Sequence, residues 1–173
     1  MTHRSMKNRL LGSMLASVMV PSLALGAAAL HPALAHAEVN KAKCKYSAVF
    51  LAKEGDGKIP AELEFLRPQL ESDEFAVYKY YQLVDEKTLK LKLETPAEAT
   101  FKTGHKLKLT LRGGDDKKLK LHADLSSRDG TKSLVGTEYS IEDDALLMFR
   151  VGKYTEGERT GTLVFVGQCN RKT

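Results

Sequence analysis

Tryptophan is absent from this chain, and cysteine occurs only twice in its 173 residues. The two cysteines, Cys44 and Cys169, lack C-x-x-C spacing, which argues against a dithiol redox motif and against a cysteine-based metal site. There is no G-x-S-x-G elbow and no H-E-x-x-H pair, and no glycine-rich loop follows a strand pattern and opens a helical one. The usual signatures of serine hydrolases, zinc peptidases and phosphate-loop proteins are therefore missing. No Pro/Gly/Ser-rich linker or low-complexity tract divides the chain. No acidic residue precedes Glu38.

That acid-free start is the most informative thing present. Arg4, Lys7 and Arg9 give a basic opening, small and apolar residues run from Leu10 to Leu30, and Ala35-His36-Ala37 offers a small-x-small exit. This is the arrangement of a cleavable export signal. Cleavage is expected after Ala37 or, through Ala33-Leu34-Ala35, after Ala35. Gly12, Pro21, Ser22 and Gly26 interrupt the run, a poor match to the roughly 20 unbroken apolar residues of a membrane span. A retained N-terminal anchor is the alternative. Arg4 is isolated, so there is no twin-arginine motif, and Lys41-Ala42-Lys43 does not suit lipid attachment at Cys44. The expectation is a signal peptide over residues 1–37 and a single periplasmic or secreted domain over 38–173, with no further transmembrane span. Removing three basic residues and no acid lowers the net charge from +5 to +2. The basic character of the whole chain is thus no argument for nucleic acid.

An exported domain sits in an oxidising compartment, and an even pair of cysteines at its two ends predicts one disulfide joining the first strand to the last. The apolar period between them is mostly two. Leu89, Leu91 and Leu93 alternate with Lys90, Lys92 and Glu94 over Thr88–Glu94. Leucine alternates in the same way over Lys106–Arg112, and leucine and alanine do over Lys118–Leu125. Such alternation marks half-buried antiparallel strands. Gly113-Gly114-Asp115-Asp116 and Arg128-Asp129-Gly130 have the residues of tight turns. Tyr46–Ala52, Phe75–Val84, Ala145–Val151 and Thr162–Val166 are apolar on both sides and read as covered strands, with Lys153–Arg159 as an exposed connection between the last two. Pro60, Glu62 and Glu64 with Leu63, Leu66 and Leu70 predict one short helix, limited by Pro68. The fold class is all-β and mainly antiparallel: a β-sandwich or open barrel of about nine strands with one short helix.

The strongest functional candidate is a lysine-rich sheet face. Between Lys87 and Lys120 ten basic residues stand against four acids. If the strands are neighbours, Lys90, Lys92, Lys106, Lys108, Lys118 and Lys120 form a positive surface for an anionic polymer, lipid headgroups or an acidic protein. The plain alternative is a solvated face whose lysines discourage edge pairing, since alternation itself demands polar residues there. Arginine is scarce in this stretch and Phe101 is its one aromatic, which argues against nucleic acid. Acid-rich stretches over Glu54–Phe75 and Asp129–Glu158 read as ordinary mixed surface.

Other candidates are weaker. Glu54-Gly55-Asp56-Gly57 and Glu142-Asp143-Asp144 do not complete a calcium loop, and turn chemistry explains both. After cleavage only His105 and His122 remain, each read most simply as a surface imidazole. The aromatics Phe75, Tyr78, Tyr80 and Tyr81 suit a covered strand better than an exposed ligand patch. No cofactor is expected.

Leu63-Glu64-Phe65-Leu66-Arg67-Pro68-Gln69-Leu70, Phe75-Ala76-Val77-Tyr78-Lys79-Tyr80-Tyr81-Gln82-Leu83 and the ending Leu163-Val164-Phe165-Val166-Gly167 resemble short, exported, β-rich proteins of Gram-negative soil bacteria with no assigned activity. The likeness spans about Ala48 to Gly167. It implies a similar fold and periplasmic or secreted residence, and it carries over no catalytic or binding residue. The expected role is a non-enzymatic binding or interaction module of the bacterial envelope, with an envelope protein or anionic polymer as partner. A binder of anionic polymer or lipid headgroups through the lysine face is the second reading, and a hydrolase with an unrecognised site, built on His122, the third.

Overall fold

The leucine alternation becomes the inner face of a four-stranded sheet. In this computed structural model, which describes residues 39–171, Leu107, Leu109 and Leu111 are buried on β4 (Lys106–Gly114). Leu119, Leu121, Ala123 and Leu125 are buried on β5 (Lys118–Ser126). The expected leader, Met1 to Ala37, lies outside the described residues. β4 and β5 pair antiparallel through the predicted glycine turn. Gly114 has φ 154°, and a Cβ there would lie 2.4 Å from the Lys118 carbonyl oxygen, so the turn requires glycine. Asp115 closes it by accepting the backbone N–H groups of Lys117 and Lys118, both at 2.8 Å. With β3 (Ala97–Thr100) and β6 (Ser133–Glu142) the order is β3-β4-β5-β6, here called the leucine sheet.

The second sheet has the order β2-β1-β8-β7, from β1 (Lys41–Ala52), β2 (Tyr80–Lys92), β7 (Leu146–Glu156) and β8 (Arg159–Asn170). The first and last strands form its centre, so we call it the terminal sheet. All neighbours in both sheets are antiparallel. Cys44 and Cys169 face each other in register, and a disulfide joins them with Cα atoms 4.1 Å apart. The bond thus links the first strand to the last, as the cysteine positions predicted.

Both sheets feed one apolar cluster. Tyr46, Phe50, Leu163 and Phe165 come from the terminal sheet and the buried leucines from the other. Phe101 and Phe165 stack edge-on at 4.8 Å. The hydroxyls of Tyr46 and Tyr139 bond to one another across the two sheets. The opposite face of the terminal sheet carries a smaller cluster, in which Val49, Leu51, Val164 and Val166 lie beneath Leu63, Leu66 and Leu70. Those leucines belong to a 3₁₀ helix, Ala61–Leu66, continued by one α turn, Arg67–Leu70, with Pro60 as the cap residue. This cover explains why β1 and β8 are apolar on both faces.

The described residues contain eight strands where about nine were expected. Phe75–Val84 and Thr88–Glu94 are not two strands. One strand begins at Tyr80 and runs to Lys92, and the apolar residues before it pack as a turn against the smaller cluster. Tyr78 and Tyr80 consequently do not share a face. Tyr78 donates to Thr162 at 3.1 Å, whereas Tyr80 packs on Phe50 in the main cluster, with ring centres 6.1 Å apart. Likewise β7 continues to Glu156, which reduces the Lys153–Arg159 connection to a turn at Gly157 and Glu158. Among the described residues no helix is long and apolar enough to cross a membrane.

Candidate functional site

The six lysines do not form one face, because their strands belong to different sheets. Lys106, Lys108, Lys118 and Lys120 lie on the outer face of the leucine sheet, interleaved with acids. Lys108 pairs with Glu98 at 3.1 Å and stands opposite Asp124, and Lys118 stands opposite Glu142 with 3.9 Å between charged atoms. Arg112, on the same face, binds Glu94 and lies 4.0 Å from Glu138. This surface is mixed in sign.

Lys90 and Lys92 are on β2 in the terminal sheet, where pairing adds three lysines that the sequence reading did not single out. Lys41 stands directly opposite Lys92, and Lys43 opposite Lys90. Leu89, Leu91, Ala42 and Cys44 are buried inward, so the lysines point outward together, with Lys45 next on the same face. Among the described residues Lys41, Lys43, Lys90 and Lys92 make no ion pair. Acids near the strip include Glu86, paired with Lys45 at 3.2 Å, and Asp144, bonded to Asn170 at 3.1 Å. Directly opposed like charges destabilise a sheet. Burial of Ala42, Cys44, Leu89 and Leu91 on the inner face holds this register nonetheless. Cross-strand pairing is a tertiary fact, and the signal available in sequence was the alternation Lys41, Lys43, Lys45 beside a cysteine.

The two histidines differ. His122 lies on the outer face of β5, between Thr110 and Glu138 in the register. His105 is not a surface imidazole; only 6% of it is exposed. The turn Phe101–His105 carries it inward. Asp85, itself 8% exposed, accepts the Lys102 N–H at 2.8 Å and binds the Lys87 ammonium at 3.2 Å. Burial pushes the Asp85 carboxyl up, but the Lys102 N–H and the Lys87 charge outweigh it, and the net shift is downward. His105 packs on Phe165, and its Nδ1 lies 3.0 Å from the Thr103 hydroxyl. Desolvation, helped by the Arg128 charge, lowers its pKa and favours the neutral ring.

His105 lies in the wall of a cleft of about 610 Å³. The cleft opens between the start of β6 in the leucine sheet and the later half of β7 in the terminal one. Its rim is the β5–β6 loop with Arg128, Asp129 and Lys132, together with Lys153 and Tyr154 of β7. The Arg128 guanidinium sits 4.5 Å from the Tyr154 ring centre. Ser127, His105 and Asp129 are the residue types of a nucleophilic triad, but they are not wired as one. The Ser127 hydroxyl donates to Asp129, and His105 Nδ1 is engaged with Thr103. Among the described residues no imidazole is bonded to the Ser127 hydroxyl, as a triad requires.

The two acidic runs act as turns. Asp56 accepts the Lys58 N–H at 3.0 Å, and Asp143 holds the Arg171 guanidinium at 2.9 Å. Comparison with family models, curated proteins and solved structures finds no match to this chain.

Proposed function

We propose that this protein is an exported, non-enzymatic binding module that docks on a densely anionic surface through the lysine strip of the terminal sheet. In this reading residues 1–37 are a cleaved signal, residues 38–173 form a disulfide-closed β-sandwich, and the protein resides in the periplasm or outside the cell. The Cys44–Cys169 bond supports that placement, since such bonds persist in oxidising compartments. The arrangement of Ser127, His105 and Asp129 supports a binding role over a hydrolytic one.

The observation that carries the reading is the direct opposition of Lys41 to Lys92 and of Lys43 to Lys90 without an intervening acid. Four like charges held in register lose repulsion when anions bridge them. Regularly spaced phosphates or carboxylates, as in lipid headgroups or an acidic polymer, fit this geometry better than a single small ion. The mixed surface of the leucine sheet offers no such gain.

The test is binding to phosphatidylglycerol vesicles and to polyglutamate. Binding should weaken steeply as ionic strength rises from about 0.01 to about 0.15 M, over which the screening length falls from about 30 to about 8 Å. Replacing Lys41, Lys43, Lys90 and Lys92 with glutamine should remove it, and replacing Lys106, Lys108, Lys118 and Lys120 should leave it intact. Binding indifferent to salt, or equally reduced by both sets, rejects the reading. Whichever of the two anions binds identifies the class of surface.

A further inference from the structure

The cleft beside His105 is separate from the lysine strip, and its lining has a definite chemical bias. Among the described residues Arg128, Lys132 and Lys153 make no ion pair. The acid between them is already occupied, because Asp129 accepts from Ser127 and from the Thr131 N–H at 3.0 Å. Three cations thus line one opening against one ionised carboxylate, which leaves the rim positive. Below them the wall is apolar: Val151, Leu163, the Tyr154 ring and Leu134. Leu134, at 38% exposure, is one of two large apolar side chains left exposed among the described residues. An exposed leucine on a surface rich in lysine and glutamate suits a site that an apolar group covers.

The shape agrees. β6 and β7 are consecutive in the chain but belong to different sheets, and no ladder joins them among the described residues. The sheets part there, exposing the edge of the main apolar cluster beneath a cationic rim. A volume of about 610 Å³ lies within the range of roughly 300–1,000 Å³ usual for small-molecule sites. Arg128 is held by its stack on Tyr154, so its charge is positioned before any ligand arrives. His105, kept off the surface by Phe165 and Thr103, presents an imidazole without a competing carboxylate.

We propose that this cleft binds a small amphipathic anion, an organic acid whose charged head meets Arg128, Lys132 and Lys153 and whose apolar body lies on Leu134, Val151 and Leu163. A simple inorganic anion would leave the apolar wall wet, and a neutral lipid would leave the positive excess of the rim uncompensated. The site therefore selects for both properties in one molecule.

Titration of the isotope-labelled full chain with octanoate, followed by amide NMR, tests this. Saturable shifts are expected at Gly104, His105, Arg128, Leu134, Lys153 and Tyr154. Acetate, which keeps the charge, and octanol, which keeps the tail, should each bind at least about tenfold more weakly, as expected when one of two contributing contacts is lost. The double variant Lys132→Gln/Lys153→Gln, both residues on the cleft rim, should lose at least about tenfold in affinity with a native-like spectrum. Arg128→Gln should do the same, and the lysine pair keeps the test decisive if that variant unfolds. Glutamine at Lys41, Lys43, Lys90 and Lys92 should not change octanoate binding, which separates this proposal from the lysine strip. Absence of saturable shifts, shifts confined to the strip, or equal binding of acetate or octanol would overturn it.

Discussion

Asp85 and His105 hold opposite ends of one turn, and each makes the fold sensitive to acid. The His105 pKa is lowered in the native state, so the unfolded chain takes up that proton first as pH falls through about 6.5. Asp85 is also shifted down, and its stabilisation is present above the ordinary carboxylate range and lost below about 3.9. Urea midpoints should therefore fall in two stages on acidification, and His105→Gln should flatten the upper stage alone. At the alkaline end the linkage reverses. Burial, partly offset by the bond to Tyr139, raises the Tyr46 hydroxyl to about 12, so the unfolded state ionises first and stability declines as pH climbs from about 10 to about 12. Tyr139→Phe leaves the buried Tyr46 hydroxyl without its partner and should cost about 1–3 kcal/mol. Changing both tyrosines to Phe should cost less than the two single losses combined, measured by denaturant unfolding at neutral pH. Sequence parity placed His122 on the polar face, where it lies. It had no means of burying His105, because that burial depends on Asp85, 20 positions earlier, anchoring the turn.

Among the elements, the alternating leucines of β4 and β5 were the most legible, since a period of two admits one arrangement of faces. The short helix was equally readable from Leu63, Leu66 and Leu70, although its first turns are 3₁₀. The aromatic segment was not. Phe75 and Tyr78 pack on the secondary cluster from a turn, and Tyr81 joins them from the start of β2, which local composition does not distinguish from one covered strand. Strand β8 shows how closely the central pair is fitted. A Cβ on Gly167 would lie 2.5 Å from the buried Tyr46 ring. Gly167→Ala must displace that ring and should destabilise by about 1–3 kcal/mol, visible as a lower thermal midpoint with an unchanged strand signature by circular dichroism.

On the scale of the whole molecule, the disulfide and the two-faced strands were foreseeable from cysteine position and hydrophobic pattern, but the assignment of strands to sheets was not. Lys90 and Lys106 are near in sequence and belong to different sheets, while Lys41 and Lys92 are distant in sequence and directly opposed. The bond between Cys44 and Cys169 closes a separation of 125 residues. Replacing both cysteines with alanine should remove about 2–5 kcal/mol of stability, measured by urea unfolding against the oxidised protein. The last strand is also a keystone. Among the described residues, a chain ending before Arg159 would retain the strands of the leucine sheet, yet β1 would keep only β2, β7 would lose its one ladder partner, and Cys44 would carry an unpaired thiol. Premature termination therefore leaves open strand edges and a lone thiol, the first a template for pairing with another chain and the second a partner for a mixed disulfide.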